Sequence, residues 1–297
     1  MKGILITVLA MGVCAGSAIA QGNATLEEDR AAIEAAARDY MEGALNVAPD
    51  RMERAVHPGL TKVVIGTYPQ TGRQYLSYNT ATLLVEWVRG LGDRFDNADK
   101  NVDVTVFDID NNLATARATG ALWYDFLQLA KIDGEWRIVN ILWAPYSVTG
   151  PDHTEADEEA RIVPTARDSA LVIAQARNYI EGSFTGDAGR MESALHPELT
   201  KVQLANQRTT HRPYLRTMGA GDLVEGTLAG LGLVPEDEWH IDVEIQDVSR
   251  GIASVKVTSS MYIDYVQMGK VNGAWKIINV LWVMNPELPR LRPSLRR

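Results

Sequence analysis

The residues best suited to chemistry in this sequence are two aspartates, each set in an otherwise apolar run. Asp125 lies in Ala121-Leu122-Trp123-Tyr124-Asp125-Phe126-Leu127. Because strand side chains alternate between faces, it shares one with Trp123 and Leu127. Asp264 shares a face with Tyr262 and Val266. A carboxylate in such a row is costly to bury unless it is paired or protonated, and that situation marks many working acids and bases. A plainer reading also fits: each aspartate bonds to an arginine or tyrosine of its own copy, or its face meets water.

Other side chains could complete a pocket around Asp125 and Asp264. Tyr40 and Tyr179, on a first helix, should face a sheet, and Trp123 and Tyr262 flank the carboxylates. Tyr75 and Tyr214 are expected to open a third helix. Each of these aromatics either packs a core or lines a pocket. His57 and His196 precede prolines at the end of a short second helix, where an imidazole serves the helix terminus or acts as a pocket acid or base. Asn140 and Asn279 lie between Ile138 and Leu142 and their repeats, tying down irregular backbone or offering an amide to a ligand. Lys62 with Glu86, and Lys201 with Glu225, read as solvated charges. His153, His211 and His240 share no ligand spacing with the other two histidines, so neither a metal nor a cofactor is expected.

The elements that must position these groups occur twice. Tyr40-Met41-Glu42-Gly43 returns as Tyr179-Ile180-Glu181-Gly182, and Trp136 to Trp143 returns as Trp275 to Trp282, every pair 139 positions apart. A period this long is a duplicated domain. In each copy helices come first. Thr25 with Glu28 suggests a capping-box start, and Ile33, Ala36, Ala37, Tyr40, Met41 and Ala44 follow at helical spacing up to Gly43 and Pro49. Met52 to His57 reads as the second helix, Thr61 to Ile65 as a strand and Leu76 to Val88 as the third helix. Three alternating segments complete the copy: Val102 to Ile109, Leu113 through Phe126 to Leu129, and Glu135 to Trp143. Asp133-Gly134 and Asn272-Gly273 are type I′ hairpin signals between the last strands. The class is α+β.

The 297-residue chain opens on Lys2, an apolar stretch from Ile4 to Val13 and Ala18-Ile19-Ala20, the pattern of a signal peptide cleaved after Ala20. Cys14 is the only cysteine, so disulfides are excluded. A net charge of −9 argues against nucleic acid, and no stable membrane insertion is expected. The expected organisation is a signal at 1–20, a domain at 25–146, a linker at 147–165, a second domain at 166–286 and an extended basic tail at 287–297. Apolar residues on both faces of Leu122 to Leu129 suggest that the copies pack sheet to sheet as an intrachain pseudo-dimer.

His57-Pro58-x-Leu60-x-Lys62 and Gly134-x-Trp136-x-Ile138-x-Asn140-x-Leu142-Trp143, both repeated, resemble the nuclear-transport-factor-2-like (NTF2-like, SnoaL-like) superfamily, closest to its branch named for lumazine binding. The resemblance implies two tandem cone-shaped domains, each a curved antiparallel sheet around helices with an apolar pocket at the wide end. Three functions remain open on it. The first is an exported, non-catalytic protein whose pockets hold a small apolar or aromatic molecule. The second is an isomerase, cyclase or hydrolase of the ketosteroid-isomerase-like type, with Asp125 or Asp264 as general base. The third is a protein-interaction module.

Overall fold

In a computed structural model, residues 14–145 and 163–288 are described. The apolar stretch from Ile4 to Val13, expected to belong to a signal peptide, most of the expected linker and most of the basic tail lie outside them. The first domain runs α1 (Cys14–Leu45), α2 (Pro49–Ala55), β1 (Val56–Thr67), β2 (Gln74–Thr80), α3 (Ala81–Arg89), β3 (Asp103–Asp110), β4 (Leu113–Thr119), β5 (Trp123–Ile132) and β6 (Glu135–Pro145). The second repeats it as α4 (Ala166–Thr185), α5 (Ala188–Ala194), β7 (Leu195–Asn206), β8 (Pro213–Gly219), α6 (Ala220–Leu228), β9 (Asp242–Ser249), β10 (Ile252–Thr258), β11 (Tyr262–Val271) and β12 (Ala274–Met284). Each sheet has six strands, ordered β2-β1-β6-β5-β4-β3 and β8-β7-β12-β11-β10-β9. All pairs are antiparallel except β1 with β6 and β7 with β12.

The apolar stripe of α1 packs as its spacing requires: Ile33, Ala37, Tyr40, Met41 and Ala44 are buried against β3, β4 and β6. The repeated glycine in that helix does not end it. A Cβ on Gly182 would lie 2.8 Å from the backbone nitrogen of Met191, and one on Gly43 3.0 Å from that of Met52. Glycine is what allows each first helix to touch the second. The hairpin dipeptides do what their types demand, with positive φ at Asp133, Gly134, Asn272 and Gly273.

Four boundaries differ from the sequence reading. Helix α1 does not begin at Thr25 but is continuous from Cys14. The capping box occurs only in the second copy, where Thr165 and Asp168 cap each other; the position matching Thr165 is Leu26 in the first. The stretch Gln74–Thr80 is an edge strand on β1, and the third helix starts only after Thr80, whose hydroxyl accepts from the Leu83 N–H. His57 already belongs to β1, because α2 ends at Ala55. The long middle segment is two strands, closed by the Gly120 N–H donating to the Trp123 carbonyl at 3.1 Å.

The two sheets meet through the faces turned away from their helices. Tyr124, Phe126, Leu142 and Val63 of the first domain pack with Ile252, Val271 and Ile278 of the second. The reciprocal cluster sets Tyr265, Leu281 and Val202 against Leu113, Ala130 and Val139. The 139-residue offset maps one set onto the other, so the interface is isologous within a single chain. Polar contacts follow the same rule. Gln128 donates to the Tyr265 carbonyl and Gln267 to the Phe126 carbonyl, both at 2.8 Å. Arg117 meets Asp247 at 2.7 Å, and Lys256 meets Asp108 at 2.6 Å.

Candidate functional site

Each domain buries a lysine, a tyrosine and an aspartate together. The helix supplies Tyr40 or Tyr179, β1 or β7 supplies Lys62 or Lys201, and β5 or β11 supplies Asp125 or Asp264. In the first domain the Tyr40 hydroxyl donates to Asp125 Oδ2, and Lys62 Nζ donates to the Tyr40 oxygen at 2.5 Å and lies 3.5 Å from the same Oδ2. In the second the Tyr179 hydroxyl donates to Asp264 Oδ1 at 2.9 Å, while Lys201 Nζ donates to Tyr179 and, at 2.9 Å, to Asp264. Both aspartates are fully buried, and the lysines nearly so. The expectation that Lys62 and Lys201 are solvated partners of glutamates is therefore overturned: each is the cation that its own copy's aspartate requires.

Burial sets the direction of the proton affinities. It pushes the Lys62 and Lys201 ammonium groups down and the Asp125 carboxyl up. Tyr40 and Tyr179 are raised by burial and then by the adjacent carboxylate, so their hydroxyls stay protonated. The ammonium groups also lie over indole faces, 4.8 Å from the Trp143 ring and 4.5 Å from that of Trp282, a favourable arrangement for a desolvated cation. One oxygen of each carboxylate, Asp125 Oδ1 and Asp264 Oδ2, finds no donor among the described residues.

The shared triad opens onto different spaces. In the second domain a cavity of about 160 Å³ is lined by Tyr179, Lys201, Tyr262, Trp282, Ser183 and Gly226, among others. The corresponding space of the first domain is about 10 Å³, room for a single water at most. There Trp123 packs edge to face with both Trp87 and Phe95, the Phe95 and Trp123 centroids 5.4 Å apart.

The sequence profile of the family described as "Putative lumazine-binding" matches residues 28–144 and again 167–283. The chain belongs to this family. None of the curated proteins matches it. Among solved structures, the chain is similar to an NTF2-like protein of unknown function from Silicibacter pomeroyi DSS-3, at 15% identity over 41% of this chain and 100% of that one, TM-score 0.35. It is similar also to an NTF2-like protein of unknown function from Shewanella baltica OS155 (15%, 42% and 98%, TM-score 0.33). A third is a ketosteroid isomerase-like protein from Erwinia carotovora atroseptica SCRI1043 (14%, 40% and 98%, TM-score 0.29).

In these two lumazine-binding-family domains the structure gathers Tyr40, Asp125 and Trp123 at one site and Tyr179, Asp264 and Tyr262 at the other. The remaining candidates lie elsewhere. His57 and His196 are half-buried, and each Nδ1 accepts a backbone N–H two residues on, from Gly59 and Glu198, as the strand bulges after the proline. Neither histidine lines either cavity. Tyr75 stacks on Tyr68 at 4.3 Å, and Tyr75 and Tyr214 are exposed on edge strands. Asn140 and Asn279 face the other domain: each donates at 2.8 Å to the side-chain oxygen of the glutamine that crosses the interface. Lysine was the residue missed. A signal was present, since Lys62 and Lys201 stand at a regularly alternating strand position between buried Leu60 and Leu199 and the strand end, on the same face as those leucines. Among the described residues there is no cluster of three metal-ligating side chains, and no helix is long and apolar enough to cross a membrane.

Proposed function

We propose that this protein binds one small, planar, neutral molecule with a carbonyl edge in the cavity of its second domain, and does not transform it. The cavity itself carries the reading. Its volume is of the order that accommodates a small aromatic molecule, by comparison with a ~150 Å³ apolar cavity that takes up benzene. Tyr262 and Trp282, packed edge to face at 5.2 Å, supply apolar walls. Lys201 has three N–H donors, of which Tyr179 and Asp264 take two, leaving one for an acceptor oxygen. The family name and the carbonyl-rich ring of lumazine are consistent with that donor.

A catalytic reading, with Asp264 as general base, is supported by the unpaired Oδ2. Against it, Asp264 sits behind Tyr179 and Lys201 and does not line the cavity, so a base would have to act through them. We also propose that the chain is exported and cleaved after Ala20, on the strength of the leader pattern alone.

Titration with lumazine, followed by quenching of intrinsic fluorescence, tests the binding reading. Saturable quenching with recovery of unchanged ligand is expected. A Lys201→Met/Asp264→Leu variant, which removes the ion pair as a unit, should bind roughly 10–100-fold more weakly, the loss of a hydrogen bond to a charged group. Conversion of the ligand would favour the catalytic reading, and equal affinity in the variant would remove Lys201 from the site.

A further inference from the structure

All eight residues lining the small space of the first domain have a counterpart, 139 positions on, lining the cavity of the second. Tyr40, Met52, Lys62 and Leu84 recur as Tyr179, Met191, Lys201 and Leu223, nearly unchanged in character. The substantive differences are Trp87, which becomes Gly226, and Trp123, which becomes Tyr262. Trp87 projects from α3 into the space above the triad, where its ring meets Trp123 at 6.0 Å and Phe95 at 6.1 Å. On α6, Gly226 leaves that space open. A Cβ there would meet only the Leu231 side chain, at 3.6 Å, so nothing in the backbone forbids a larger residue. Leu223 and Val224 of α6 are less covered than the buried Leu84 and Val85 of α3, and Leu231 at the rim is 78% exposed.

We infer that the first domain carries its own occupant. The indole of Trp87 fills in cis the place that the second domain keeps for a ligand, so of these two matched spaces one is a binding site, and its occupant is an indole-sized aromatic group lying against Tyr262 and over the Lys201–Tyr179–Asp264 triad. The first domain is the closed, supporting half of the pseudo-dimer. This rests on the ligand-binding reading of the same cavity, but it fixes size, place and stoichiometry independently of the carbonyl contact.

Indole is the probe, counted by equilibrium titration of the full chain. The wild type should bind one indole, Gly226→Trp none, Trp87→Gly two, and the double exchange one. Because Trp87→Gly opens a core and could fail to fold, a second measurement stands beside it. Ser183→Cys and Ala44→Cys place thiols at matched positions of the two spaces, in a Cys14→Ser background. A small maleimide, with modification located by peptide mass, should label the first rapidly and the second slowly, and indole should protect the first. Two indoles bound by the wild type, binding that survives Gly226→Trp, absence of indole binding, or equal labelling of the two thiols would overturn the inference. Indole binding of the expected stoichiometry with no response to lumazine would instead remove the carbonyl reading and leave this one standing.

Discussion

Lys201 Nζ lies 2.9 Å from Asp264 Oδ1, and the same oxygen accepts the Tyr179 hydroxyl, so one buried carboxylate atom holds both a cation and a phenol. An apolar row on β11 can contain an aspartate because β7 delivers the ammonium to it. Removing one partner leaves the other charge buried and alone. Asp264→Asn should therefore destabilise the protein by about 3–5 kcal/mol, and Lys201→Met/Asp264→Leu by much less. Urea denaturation of the variants beside wild type measures this. A stable Asp264→Asn protein would mean that the lysine is already neutral.

The interface makes a second quantitative demand. Gln128 and Gln267 are each held by an asparagine on their own sheet and donate across to a carbonyl of the other. Gln128→Ala removes the donor that crosses to the Tyr265 carbonyl and leaves the Asn140 amide N–H without its acceptor in a buried seam, at a cost of about 1–3 kcal/mol. The double variant with Gln267→Ala should broaden or split the thermal transition, because the halves then unfold less cooperatively. Calorimetry that finds one sharp transition unchanged in the double variant would show that the apolar clusters alone couple the domains.

His57 and His196 give the pH dependence. Burial lowers both imidazoles, with Arg137 adding to the effect at His57, and each Nδ1 must stay unprotonated to accept its backbone N–H. A folded value below the unfolded one of about 6.5 means that the unfolded chain binds more protons in between. Stability is thus full above pH 6.5 and declines as pH falls through the lowered values. Between pH 8 and pH 5 the thermal midpoint should fall less in a His57→Gln/His196→Gln variant than in wild type; an equal fall would place the effect elsewhere.

The close approach of first and second helices yields another prediction. A methyl group at residue 182 would meet the Met191 backbone nitrogen at 2.8 Å. Gly182→Ala should cost about 1–3 kcal/mol through overpacking, although alanine is the better helix former. Chemical denaturation showing a gain in stability would mean that α5 can yield.

Export predicts that mature protein begins at Gln21. Intact-mass spectrometry of protein recovered from an expressing Gram-negative host checks it; a retained Met1 would sink the proposal.

The sequence by itself determined the duplication, the α+β class, the apolar stripe of α1, the I′ hairpins and the apolar second face of β5, because these are set by local periodicity, turn chemistry and self-comparison. It also placed Tyr40, Tyr179, Asp125 and Asp264 on elements that converge. The tyrosine partner of each aspartate was among the readings it offered; what it could not supply was the cation. Lys62 lies 63 residues from Asp125 and reaches it only because β1 inserts in parallel beside β6, a pairing with no local signature. The same topology carried Asn140 and Asn279 to the interdomain seam, and the proline-induced bulge of β1 turned His57 back onto its own backbone. Only the tertiary structure decided which copy is open. One indole, present on α3 and absent from α6, separates a filled space from a cavity, and its consequence is visible only once the helix is laid over the triad.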